Sequence, residues 1–229
     1  MASIHENLRQ VRDRVNAAAD RAGRDPEAVR LVAVSKTKPA SLILEAIDAG
    51  VTEIGENQLQ EARTKYDQID RPVKWHFVGH LQRNKVKAAL QIFDLIHSVD
   101  SLRLLNEINR RSAGLNCQTD VLVQVNTSGE SSKYGVQPEQ VLSFIESALD
   151  YRHVRIKGLM TIGPFAPNVD AVRPSFALLG RLQEQVKSQR FQGVDMAYLS
   201  MGMTHDFEVA VEEGANVIRI GTAIFGKRV

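Results

Sequence analysis

The sequence predicts an α/β protein built as a single (β/α)8 barrel with an extra N-terminal helix. Three observations carry this expectation. Short apolar runs are followed by helical-period segments over and over, and that alternation builds parallel βαβ units. The chain has 229 residues, within the range of such barrels. No G-x-G-x-x-G follows the first strand, which argues against the competing doubly wound sheet.

The elements follow in order. Ser3 and Glu6 have capping-box spacing, and Ile4, Leu8, Val11 and Val15 recur at helical intervals, so a helix opens the chain and ends at AGRDPEAV. Strands are expected at 30–36 (RLVAVSK), 53–57 (EIGEN), 75–79 (WHFVG), 95–99 (LIHSV), 120–126 (DVLVQVN), 156–162 (IKGLMTI), 197–201 (AYLSM) and 217–221 (VIRIG). Helices are expected near 39–49, 57–68, 83–91, 101–113, 138–149, 170–190 and 205–213, with Pro39 and Pro138 at first helical positions. No Pro/Ser/Gly-rich linker interrupts the rhythm, so residues 1–229 are expected to form one domain.

Composition narrows the function. Hydrophobic residues make up 43% and charged residues 24% of the chain, as in ordinary soluble globular proteins. Twenty-nine basic against 27 acidic residues leave a net charge of +2, and no basic arm or basic–aromatic pattern points to nucleic acid. The single cysteine, Cys117, rules out an internal disulfide or a multi-cysteine metal site and reads as a small packed residue. No signal peptide or long apolar run is present, so no membrane partner and a cytoplasmic location are expected. No metal site is predicted.

In a barrel of this kind the active site lies at the C-terminal ends of the strands. Those ends carry Ser35 and Lys36, Glu56 and Asn57, Gly79 and His80, Asp100, Asn126, Thr161, then Ser200, Gly202 and Thr204, and finally Arg219, Gly221 and Thr222. YLSMGMTHDF and IRIGTAIFG together suggest a phosphate cradle after strands seven and eight, although glycine and serine also end strands for conformational reasons. Arg219 could point into the mouth or pair with Glu56 or another acid. Lys36, on strand one, would face it across the barrel seam. A lysine amine, a phosphate cradle and a cation suit a phosphorylated aldehyde held as a Schiff base, and pyridoxal 5′-phosphate fits that description.

With these residues in view, the sequence resembles the YggS/PROSC family of pyridoxal-phosphate-binding homeostasis proteins. The likeness runs over nearly the whole chain, through AVSKTKP, GENQLQEA, WHFVGHLQRNK, SVDS, NTSGESSKYG, GLMTIGP and LSMGMTHDFEVAVEEGANVIRIGTAIFG. The resemblance implies a barrel like the N-terminal domain of alanine racemase and pyridoxal phosphate bound through Lys36. It further implies a phosphate held at Ser200, Gly221 and Thr222, Arg219 at the pyridine nitrogen, and Asn57 and His80 lining the pocket. Gly202 and Thr204 complete the expected cofactor-binding set; MGMT has threonine where the family often has serine, which keeps the hydroxyl.

An arginine at the pyridine nitrogen disfavours its protonation and weakens the ring as an electron sink. Alanine racemase-like proteins also use a tyrosine from a second domain, for which this chain leaves no room. No catalytic residue is therefore assigned, and a monomeric carrier that stores, buffers or delivers pyridoxal phosphate to apo-enzymes is expected. A racemase or lyase of low activity is the alternative, and a sugar-phosphate isomerase using Lys36 is a third. Tyr134 could approach the mouth. Lys38 and Lys133 read as solvated charges or auxiliary amines, and His76 reads as a satisfied core histidine.

Overall fold

Eight apolar runs become eight parallel strands, because each can be buried on both faces only inside a sheet covered by helices. The computed structural model describes residues 3–130, 133–164 and 168–227. The strands are β1 (Arg30–Val34), β2 (Glu53–Glu56), β3 (Lys74–Phe77), β4 (Leu95–Val99), β5 (Thr119–Gln124), β6 (Val154–Met160), β7 (Tyr198–Ser200) and β8 (Val217–Ile220). They pair in chain order and close into a barrel, β1 lying parallel to β8 with Val32 opposite Arg219. The (β/α)8 architecture expected from the strand–helix rhythm is the one observed.

The helices are α1 (Ile4–Arg21), α2 (Ala40–Asp48), α3 (Leu59–Tyr66), α4 (Val86–Ala89), α5 (Leu102–Gly114), α6 (Val141–Glu146), α7 (Arg173–Gln189), α8 (Phe207–Glu212) and α9 (Thr222–Phe225). Ser3 caps α1 as its spacing predicts, its Oγ accepting from the Glu6 N–H at 3.2 Å. The buried stripe of Ile4, Leu8, Val11 and Val15 faces the barrel wall, and α1 lies against α2, α8 and α9. Its outer edge is tied to α8 by Arg14–Glu208 and Arg21–Glu212 pairs, each at 2.8 Å.

Several boundaries differ from the sequence expectation. The segments near 83–91 and 138–149 begin as tight 3₁₀ turns, Arg83–Lys85 and Pro138–Gln140, and only then become the short helices α4 and α6. Pro39 is the N-cap of α2, one position before the expected site, in an extended conformation that its ring permits. Helix α9, after Gly221, had no periodic signal because it is a single turn. Strands stop before their polar exit residues: Ser35, Asn57 and Asn126 lie beyond the ends of β1, β2 and β5. Cys117 is corrected outright, since it is exposed in the turn before β5 rather than packed, with its Sγ 3.7 Å from the Ser112 carbonyl. Ser131 and Ser132 of the NTSGESSKYG stretch lie outside the described residues.

Alternate strand residues point into the bore or out to the helices. Leu95, Leu122 and Met160, with Tyr198, form a small apolar plug in the bore, separate from the main core between sheet and helices. The plug is one layer of the filling; the layer toward the strand exits is polar. Phe176 of α7 is among the fully buried side chains of the outer core. Phe176→Ala is expected to destabilise the protein by about 3–5 kcal/mol through the cavity it leaves, read as a lower midpoint in urea denaturation.

Candidate functional site

The strand exits gather the residues singled out in the sequence around one mouth. Closure of β8 on β1 sets Lys36, half-buried and two residues beyond β1, beside the β8 exit that carries Gly221 and Thr222. Thr222 is exposed and Gly221 half-buried. Thr204, in the loop after β7, accepts through Oγ1 from the Ala223 N–H at 3.3 Å, so the β7 and β8 exits are tied together. Gly202 adopts φ +89, and a Cβ there would lie 2.5 Å from the Ala210 side chain, so only glycine lets this loop lie flat on α8.

Arg219 is 4% exposed and fills the bore below the mouth. Its Nη1–H donates to Ser200 Oγ at 2.6 Å and its Nη2–H to the Thr161 carbonyl at 2.8 Å. Burial lowers its pKa to about 10, with Asp206 acting in the opposite direction, and it remains a cation at neutral pH. The Glu56 pairing weighed for Arg219 does not form: Glu56 instead accepts from Lys65 at 2.6 Å and from the Ser35 hydroxyl at 2.5 Å.

Ser200, fully buried, gives its hydroxyl to this interior network. Ser200 Oγ, which accepts from Arg219, also lies 3.0 Å from His97 Nδ1. His97 Nε2 and His76 Nδ1 are 2.9 Å apart, one donating and the other accepting, and His76 Nε2 lies 3.5 Å from Glu53 Oε2. Glu53 in turn is held by Arg30, which also donates to the Tyr198 hydroxyl. Burial pushes the pKa of His76 down to about 3, with Arg30 and Lys74 adding repulsion. His97 lies well below the ordinary histidine value, again chiefly through burial, then through His76 and Arg219. Both rings are therefore neutral at neutral pH.

On the other side of the mouth, Asn57 and His80 leave β2 and β3. A Cβ at Gly79 would sit 2.1 Å from the Asn57 carbonyl oxygen, so glycine there lets the two exits touch. Asn57 Oδ1 is buried without a hydrogen-bond partner among the described residues. His80 is exposed; its Nδ1 lies 3.3 Å from Asp100 Oδ2 and its ring stacks on Tyr134 with centroids 4.0 Å apart. Asn126 Nδ2 donates to the Glu130 carbonyl, and Lys133 Nζ donates to the Gly163 carbonyl, each at 2.9 Å, so the loop after β5 is pinned beside the mouth. Lys133 also pairs with Glu130, and Lys38 Nζ donates to the Lys227 carbonyl at 2.9 Å.

Sequence reasoning missed His97, Glu53, Glu61 and Lys65. The i, i+4 spacing of Glu61 and Lys65 on α3 was a usable signal, as was the alternation that turns both His76 and His97 inward. Two cavities of about 460 and 410 Å³ open around Arg30 at the opposite pole, and neither is lined by the strand-exit residues. Among the described residues no cluster of three potential metal ligands occurs, and no helix is long and apolar enough to cross a membrane.

Comparison with known proteins identifies the family and matches the fold. Residues 6–229 match the family described as alanine racemase, N-terminal domain. A relative from Aquifex aeolicus named pyridoxal phosphate homeostasis protein is 44% identical over 224 residues, 97% of either chain. The solved structure of PipY from Synechococcus elongatus PCC7942, with PLP bound, superposes with a TM-score of 0.86 at 33% identity, covering 98% of this chain and all of that one. A Clostridium difficile alanine racemase, 13% identical, shares the fold with a TM-score of 0.78 over 98% of this chain and 59% of its own.

The neutral histidine pair has a consequence for acid stability. The unfolded chain protonates these rings near 6.5 while the folded protein holds His76 neutral down to about 3, so the unfolded state binds more protons in that window. Stability contributed at pH 7 is thus lost as pH falls from 6.5 toward 3, by up to about 1.4 kcal/mol per pH unit for each histidine. Urea midpoints measured between pH 7 and pH 5 should fall accordingly; a flat profile between 6.5 and 5 would contradict the neutral pair.

Proposed function

The chain belongs to the alanine racemase N-terminal domain family and, within it, to the pyridoxal phosphate homeostasis proteins, and from that premise we propose how it holds and manages its cofactor. The protein binds pyridoxal 5′-phosphate and serves its homeostasis. In the proposed arrangement Lys36 attaches the cofactor covalently, Arg219 faces the ring nitrogen, and Gly202, Thr204, Gly221 and Thr222 form the phosphate end; Ser200, expected there from the sequence, is instead fully buried with its hydroxyl on Arg219 and His97. Asn57 and His80 line the opposite wall. The observation that carries this reading is the closure of β1 on β8, with Val32 paired to Arg219, which brings the lysine-bearing and arginine-bearing strands side by side.

Two features of the residues fit the cofactor. Asn57 Oδ1 is a buried acceptor with no partner of its own. The hydrogen bonds of Arg219 among the described residues go to neutral oxygens, so its charge stays directed at the bore mouth. When bound, the cofactor supplies an aldehyde that condenses reversibly with an amine. The chain's own part is to hold that group and keep the ring unprotonated: Arg219 is fixed as a cation, and a second positive charge on a facing nitrogen would repel it. Ser200 holds Arg219 in place through its hydroxyl.

An unprotonated ring is a poor electron sink, which supports storage, buffering or delivery to apo-enzymes over turnover. In this reading residues 1–229 work as one domain, as a cytoplasmic monomer of 25.5 kDa. The competing reading, a racemase or lyase of low activity, draws on one observation: the His80–Asp100 pair with Tyr134 stacked above it is a possible proton-transfer set at the mouth.

The deciding experiment is a visible spectrum of the purified protein, followed by borohydride reduction and peptide mass mapping. A yellow species whose reduced adduct maps to the Lys36 peptide is expected, and Lys36→Ala should lose that adduct. A protein that takes up no supplied pyridoxal phosphate would overturn the proposal. Exchange of label at Cα of an amino acid, abolished in both Lys36→Ala and His80→Ala, would favour the enzyme; no exchange is expected. Sedimentation should show a single chain.

A further inference from the structure

A buried charged cluster directly behind Lys36 has no part in the arrangement above. Helix α3 carries Glu61 and Lys65 one turn apart, and β2 ends on Glu56. Lys65 is only 6% exposed, and its Nζ has three acceptors: the Ser35 carbonyl at 2.7 Å, Glu56 Oε1 at 2.6 Å and Glu61 Oε1 at 2.7 Å. An ammonium has three N–H donors, so this one is fully engaged. Glu56, fully buried, also accepts from the Ser35 hydroxyl at 2.5 Å.

The contacts converge on the two residues that flank Lys36. On one side, Lys65 holds the Ser35 carbonyl. On the other, the Thr37 N–H donates to Glu61 Oε1. Thr37 has φ +65, a left-handed conformation that is a true outlier for a β-branched residue. Such a conformation persists only where the surroundings over-determine it. Here the Glu61 carboxylate supplies the anchor, and Lys65 supplies the anchor for Glu61.

We propose that Lys65 and Glu61 are positioning residues: they clamp the turn around Lys36 and so fix the direction in which its side chain leaves β1. This rests on the reading of Lys36 as the residue that holds the cofactor. Lys65 itself is no alternative attachment point, because its three donors are spent on internal acceptors. Its work is done through the Ser35 carbonyl and through Glu61, whereas of these residues only Lys36 meets the cofactor. A pair that merely fastened α3 to the sheet would have no need to hold, Lys65 on one side and Glu61 on the other, both peptide groups next to one residue.

The test uses the full-length protein and three variants, Glu61→Ala, Glu61→Gln and Lys65→Met. Amide hydrogen exchange is read in the protein freed of cofactor, and pyridoxal phosphate binding is read by titration with the pH midpoint of its visible band. In Glu61→Ala the Thr37 amide should exchange at least about tenfold faster while Val32 and Ile218 stay protected, and the dissociation constant should rise about tenfold or more with a displaced pH midpoint. Glu61→Gln keeps an oxygen for the Thr37 N–H and should recover most of the affinity and the protection. Lys65→Met should repeat the loss; if it fails to fold, the two Glu61 variants decide alone. Wild-type affinity and midpoint in Glu61→Ala, or an unchanged Thr37 exchange rate, would overturn the clamp. Failure of the wild-type protein to take up pyridoxal phosphate is a different result, because it would overturn the cofactor reading beneath the clamp.

Discussion

Everything at the mouth depends on the closure of β1 against β8. The four paired positions, Arg30 with Val217 through Ala33 with Ile220, join segments nearly 190 residues apart in the chain. Closure removes the two open edges that a twisted parallel sheet would otherwise leave. It also fixes a register, and register decides chemistry: Val32 opposite Arg219 means that the exit of β1 and the exit of β8 reach the same level. Shifting that pairing by one residue would turn Arg219 out of the bore and separate it from Ser200.

The bore itself shows how a cation can be buried with neutral oxygens, rather than a carboxylate, as the acceptors of its hydrogen bonds among the described residues. Removing a guanidinium from water is costly unless its donors are matched. Arg219 is matched by the Ser200 hydroxyl and the Thr161 carbonyl, and polarity continues through His97 and His76 toward Glu53. Arg219, Ser200, His97 and His76 lie within hydrogen-bonding reach of one another in turn, and the series ends 3.5 Å from the Glu53 carboxylate near the other pole. Neutral imidazoles are what permit this, and burial keeps them neutral. The same groups that hold the buried cation make the fold sensitive to acid, a link between the polar layer and stability that an apolar layer would not create.

Around the mouth, rigidity is supplied from behind rather than from the strands. Lys36, Asn57, His80 and Thr204 lie beyond the ends of their strands and sit on short connections. Loops offer access but little precision, and precise sites need a supporting layer of packed or hydrogen-bonded groups. The Glu56–Glu61–Lys65 cluster supplies that layer at β1, the Gly79–Asn57 approach at β2 and β3, and the Thr204–Ala223 bond at β7 and β8.

The amino-acid sequence by itself determined the strand count, the βα alternation, the cap at Ser3 and the set of polar residues at strand exits, including Lys36, Arg219 and the glycines after β7 and β8. These are local properties, written in periodicity and in the residue that follows each apolar run. Only the tertiary structure decided which partner each polar group finds. Ser200 was legible as a strand-end hydroxyl, but its engagement by Arg219 and His97 spans 19 and 103 residues of chain. Lys65 sat in plain view as a helical residue, yet its burial depends on how α3 lies against the exit of β1. Cys117 read as a packing residue because cysteine usually is one, and only the fold showed it in an exposed turn. Periodicity reports which face a side chain takes; the register of closure and the packing of helices report what it meets there.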